Sequence, residues 1–174
     1  MYAERTMHRP SALTRIIKKF ELIESKINPN WNDIEKCMFY YAFLVRNLGH
    51  MDGDESWFIR YDNEHIEVAT SLACMIGKKG VCAGKSLVFK EAMDRIGIPC
   101  MYQNTEGLHD FNIVKLDGKW CGVDITWDSG FGKTKLDNFA SKSHEEYISQ
   151  YGHGGYSAPY HLEKLFSTEE LFST

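Results

Sequence analysis

The sequence predicts an α+β fold in which helices come first and an antiparallel sheet follows. Three observations carry this. Apolar residues recur at helical spacing through the first fifty residues and again from Cys82 to Ile96. After Pro99 the period changes to short runs of strand character. Asp117-Gly118 then punctuates those runs as a two-residue hairpin turn. Helices feeding a run of sequential strands is the α+β order.

The elements follow in turn. Residues 11–27 read as an amphipathic helix, with Leu13, Ile16, Ile17, Phe20, Ile23 and Ile27 on its apolar stripe and Ser11 as N-cap. Asn28-Pro29-Asn30 breaks it. A second helix covers about 32–48 and stops at Gly49. Residues 50–64 are polar and acidic and read as a loop, interrupted by Trp57-Phe58-Ile59; a third helix is expected over about 64–76. Gly77-Lys78-Lys79-Gly80 breaks the chain again and leads into the helix from Cys82 to Ile96, which Gly97 and Pro99 end. Strands are expected over 100–104, 108–116 and 119–126. Beyond Asp128 the chain turns irregular, with a short helix over 143–150, a glycine-rich stretch over 152–155 that suits a loop or flap, and a capping-box spacing from Ser167.

At 174 residues the chain fits one domain, 1–174, with a helical N-terminal part over 1–63, a core over 77–128 and a C-terminal extension over 129–174. A net charge of −4 argues against nucleic acid as the main partner. No long apolar run suggests a membrane span, and no signal peptide is visible. The five cysteines are odd in number and lack Cys-x-x-Cys spacing. The expectation is free thiols in a cytoplasmic protein, or one exported without an N-terminal signal. His144, His153 and His161 make no metal spacing, so no metal or cofactor is expected.

Cys82 stands where a glycine-bounded loop meets a helix start. Unpaired N–H groups and the partial positive charge of a first turn favour the nucleophilic thiolate there. Gly80 and Gly84 are read as leaving room for a substrate. A thiol nucleophile needs a base, and the base an orienter. If Asp117-Gly118 forms the turn, Leu116 pairs with Lys119, Phe111 lies opposite Asp124 and His109 opposite Thr126. His109 and Asp124 then share a face as diagonal neighbours, about 7–8 Å apart at the backbone. Trp120 shares that face and is a candidate wall, Trp127 a candidate shield from water, and Cys121 points away to the core.

The stretches Gly80-Val81-Cys82, His109-Asp110-Phe111-Asn112, Asp117-Gly118-Lys119-Trp120 and Val123-Asp124-Ile125-Thr126-Trp127-Asp128 resemble the core of the transglutaminase-like superfamily. That superfamily shows Gly-x-Cys, His-x-Trp-Asn, Asp-Gly-x-Trp and Val-Asp-x-Thr-Trp-Asp. The likeness covers about residues 77–128, under a third of the chain. It implies a papain-like arrangement, a Cys-bearing helix on an antiparallel sheet that carries His and Asp. It implies Cys82 as nucleophile, His109 as base and Asp124 as third member, with Asn112, Gly118, Trp120, Thr126 and Trp127 in supporting positions. It also implies acyl transfer through a thioester, on a peptide or protein substrate.

Two departures stand out. Phe111 occupies the usual Trp position, and no Gln precedes Cys82 to help bind the oxyanion. Trp57, Asn63 and Ser71 are the upstream candidates for that second donor. Hydrolysis by a peptidase or deamidase is the favoured expectation, given the short chain. Transamidation of a glutamine side chain is the alternative, and a binding module that keeps the fold without activity is the third.

Overall fold

The computed structural model describes residues 11–51, 58–61, 64–105 and 109–129. Helix α1 spans Ala12–Glu24, and the Ser11 side chain caps it by accepting from Thr14 N–H. Helix α2 spans Asp33–Asn47 and opens on a capping box: Asn32 accepts from Glu35 N–H while the Glu35 carboxylate accepts from Asn32 N–H. Cys37 through Ala42 are all buried, so α2 is enclosed on several sides.

The next segment departs from the sequence reading. Phe58–Tyr61 (β2) and Glu64–Glu67 (β3) pair as an antiparallel hairpin, where a loop and the start of a third helix were expected. The helix expected over 64–76 shrinks to α3, Cys74–Gly77. Alternation of Glu64, His65, Ile66 and Glu67 satisfies either period over so few residues, and pairing with β2 decides it. The N-terminal part over 1–63 is therefore not wholly helical.

Two short strands, β1 (Gly49–His50) and β4 (Lys79–Gly80), pair in parallel and set the chain direction just before α4, Cys82–Arg95. Helix α4 ends in a Schellman motif. Gly97 takes φ +76°, Ile98 N–H donates to Met93 O and Gly97 N–H to Asp94 O. At that end Arg95 forms an ion pair with Glu24 of α1, and its guanidinium lies 5.2 Å from the Phe20 ring centroid.

Strands β5 (Cys100–Thr105), β6 (His109–Leu116) and β7 (Lys119–Val123) form an antiparallel sheet in that order. Asp117 (φ 47°) and Gly118 (φ 76°) both take the left-handed region, the type I′ turn that suits a right-twisted hairpin. The register runs from Leu116↔Lys119 to Asn112↔Val123, as the turn requires. The strand expected over 119–126 stops at Val123, and Ile125–Ser129 forms α5 instead. Helix α4 packs on β6 and β5, and α2 packs on α4 and α5. Met38, Tyr41, Leu44, Phe89, Met93, Val114 and Val123 belong to the core between these layers. No helix among the described residues is long and apolar enough to cross a membrane. The short helix over 143–150, the 152–155 stretch, the Ser167 capping box, and His144, His153 and His161 lie outside the described residues, as do Trp57 and Asn63.

Candidate active site

The loop before Cys82 is pinned on both sides. Val81 N–H donates to Ala69 O at 2.9 Å and Met51 N–H to Gly80 O at 3.2 Å. Cys82 is the first residue of α4 and is half-buried. Gly80 and Gly84 do a different job from the expected one. A Cβ on Gly84 would lie 2.6 Å from Ala69 O and 3.3 Å from Ser71 N; one on Gly80 would lie 3.0 Å from Cys74 Cβ. Gly84 lets backbone approach backbone and Gly80 lets the Cys74 side chain pack close behind the helix start, rather than opening space for a substrate.

The hairpin brings His109 to Asp124. His109 Nε2–H donates to Asp124 Oδ2 at 2.6 Å. Asp124 is buried, and its second oxygen accepts from Trp127 N–H at 3.1 Å. The carboxylate thus caps the first turn of α5 with one oxygen and holds the imidazole with the other. That is why β7 ends where it does: Asp124 leaves the ladder to start a helix. Thr126 therefore sits in α5, and the residue opposite His109 is Thr105 of β5. Tyr41, buried in α2, fixes the same turn: its hydroxyl lies 2.7 Å from both Asp124 O and Asp128 Oδ2, which share its one proton.

The imidazole is held between rings. The Phe111 ring stacks near-parallel at 6.4 Å, and the Trp127 ring meets it edge-on at 5.8 Å. Trp127 is 43% exposed, so it flanks His109 from the solvent side. Burial alone pulls the imidazolium down, but hydrogen bonds with Asp124 and with Cys82 outweigh it, and His109 is pushed up to about 10. The structure thus brings Cys82, His109 and Asp124 together in one connected set.

Asn112 serves the scaffold. It is buried and donates through Nδ2 to Ser86 O at 3.1 Å, tying β6 to α4. Trp120 lies on the expected face but pairs with Lys115, whose Nζ is 5.9 Å from its ring centroid. Lys115 is six residues along β6 from His109, about 20 Å at strand rise, so Trp120 does not wall the site. Cys121 is half-buried rather than core. Ser71, the described candidate for a second oxyanion donor, spends its hydroxyl on Glu67 O and accepts from Ala73 N–H.

Sequence reasoning missed three groups at the site. Asp110 is buried, with Oδ2 at 3.5 Å from Cys82 Sγ and Oδ1 accepting from Asn104 Nδ2 at 2.6 Å. Tyr102 is near Asp110; burial first, then interaction with that carboxylate, raises its phenol above the ordinary range. Lys85, one turn after Cys82, is fully buried and donates to Ser129 Oγ at 2.7 Å. Burial lowers Lys85 to about 8 against the attraction of Cys74, Asp124 and Cys82. The signals were present: an Asp inside a strand for Asp110, and a charge on an apolar helical stripe for Lys85. Among the described residues no three His, Cys, Asp or Glu side chains converge as a metal-binding group. All five cysteines are free thiols.

The chain matches no protein-family model and no curated protein. Among solved structures it is similar to a provisionally named cysteine protease from Cytophaga hutchinsonii, at 15% identity and a TM-score of 0.46 over 68% of this chain and 40% of that one. It is also similar to a TGase, at 20% identity and a TM-score of 0.48 over 95% of this chain and 40% of that one. This chain spans two fifths of the length of either.

Proposed function

We propose that this protein is a cysteine-nucleophile acyl-transfer enzyme that acts on a peptide or protein amide through a thioester on Cys82. One observation carries the reading: His109 donates to the buried Asp124 at 2.6 Å and lies close enough to Cys82 for the sulfur to raise its imidazolium. A thiol at a helix start, an imidazole and an orienting carboxylate are the parts that nucleophilic catalysis on a carbonyl needs.

The steps follow from those positions. With Nε2 engaged by Asp124, Nδ1 serves the thiol. The Cys82 proton passes to His109 and the sulfur attacks the amide carbonyl carbon. The Cys82 backbone N–H, in the first turn of α4, donates to the oxyanion. As the intermediate collapses, His109 gives its proton to the leaving amine and the C–N bond breaks, leaving the thioester. His109 then takes a proton from water, whose oxygen attacks the thioester carbon. The acid departs and the thiol re-forms. An amine that takes the place of water completes a transamidation by the same steps. Asp124 keeps the imidazole in the correct tautomer and offsets its charge.

The experiment is to acylate the protein with a small activated ester and follow it by intact mass. The proposal expects one acyl group, on Cys82, whose loss is slowed in His109→Ala. Adding a primary amine shows the acceptor, since the amide product grows only if amine competes with water. Acylation scattered over several cysteines, or equal in Cys82→Ala, contradicts the reading.

A further inference from the structure

Asp110 places a carboxylate against the reacting sulfur. Its Oδ2 is 3.5 Å from Cys82 Sγ, and the residue is 8% exposed. Asn104 Nδ2 donates to the other oxygen at 2.6 Å. Both oxygens act as acceptors, the pattern of an ionised carboxyl group. Among the described residues the groups on Asp110 are neutral donors, so they fix it without cancelling its charge.

The other charges nearby are accounted for. The His109 imidazolium is matched by Asp124 at 2.6 Å. Lys85 is fully buried against Ser129 and cannot meet a substrate. When the thiol proton is on His109, the sulfur and Asp110 Oδ2 are two negative atoms about 3.5 Å apart. A reacting carbonyl carbon approaches to about 3–3.5 Å of the nucleophile, so a group borne on or next to it falls beside Asp110. A positive group there satisfies both anions, while a carboxylate is repelled by both.

We propose that Asp110 sets the charge specificity of the site, selecting substrates that place an ammonium or guanidinium group beside Cys82 and rejecting those that place a carboxylate there. The substrate class rests on Cys82 being the nucleophile; the charge selection itself does not depend on His109 acting as a base.

Two methanethiosulfonates of similar size, one a cationic aminoethyl and one an anionic sulfonatoethyl compound, test it. Their rates at Cys82 are read at about pH 7 by peptide mass, with a neutral cysteine amide as reference thiol. The cation-to-anion rate ratio at Cys82 is expected to exceed that of the reference by at least roughly tenfold, the scale that one charge a few ångströms from a reacting atom sets even at the dielectric of water, counted once for the cation and once for the anion. Asp110→Asn should bring the ratio down by a similar factor and leave the ratio at Cys121 unchanged. A wild-type ratio no greater than the reference overturns the proposal even if the variant fails to fold, and so does a ratio that Asp110→Asn leaves unaltered. If the ratio behaves as expected but the acyl group is lost from His109→Ala as fast as from wild type, the catalytic reading fails and the charge selection stands.

Discussion

At His109 two opposing effects meet. Partial burial disfavours the charged ring, and the bonds to Asp124 and Cys82 favour it more strongly, leaving it near 10. Because this folded value lies above the ordinary 6.5, the imidazolium stabilises the fold fully below about pH 6.5. That contribution is lost as pH rises toward 10. Lys85 works in the opposite sense. Its folded value of about 8 lies below 10.5, so the cost of its buried charge is relieved only above pH 8. Between about 6.5 and 8 His109 therefore sets the larger part of the slope. Asp124→Asn is expected to lower the His109 titration midpoint, read by NMR of the ring protons, and to flatten the fall of melting temperature across that window. Turnover should drop by on the order of 10³–10⁴, the scale seen when a serine triad loses its carboxylate. The fold should survive, since Asn at 124 still accepts from Trp127 N–H as a helix cap. A midpoint that does not move would remove Asp124 from its assigned role.

At the scale of elements, α4 presents Cys82 only because its first turn lies tight against residues 69–71. Gly84→Ala measures that contact. Alanine ordinarily favours a helix over glycine by about 1 kcal/mol. Here its Cβ would lie 2.6 Å from the backbone oxygen of Ala69, which cannot swing aside as a flexible side chain would. A net destabilisation of about 1–3 kcal/mol is expected in urea unfolding, the usual cost of overpacking. A neutral or stabilising result would mean that the helix start has room to shift. The hairpin of β6 and β7 was legible in the sequence because Asp117-Gly118 admits one turn type and so one register. The end of β7 was not. Asp124 reads equally as a strand residue or a helix cap, and Tyr41, eighty-three positions away, helps choose between them. The β2–β3 hairpin was missed because four-residue strands carry too little periodicity to stand against a helix.

At the scale of the whole chain, the site joins parts that are far apart in sequence: the loop at 69–71, the start of α4, the β6–β7 hairpin and the buried Tyr41 of α2. Sequence spacing could suggest that Cys82, His109 and Asp124 meet, since two lie on one hairpin and the third begins a helix. It could not suggest which polar groups that helix would bury against the sheet, so Asp110 and Lys85 went unread. An Asp inside a strand and a Lys on an apolar stripe marked both as unusual, but what each is buried against depends on how α4 docks on β5 and β6. The central claim is that Cys82 and His109 form an activated pair. Its most direct measurement is the rate of labelling by limiting iodoacetamide between about pH 5 and 8, resolved by cysteine, in wild type and His109→Ala. The expected result is fast, single-site labelling of Cys82 at the acid end of that range, slowed in the variant. Slow labelling spread over the five cysteines, or a Cys82 rate indifferent to His109, would contradict the account.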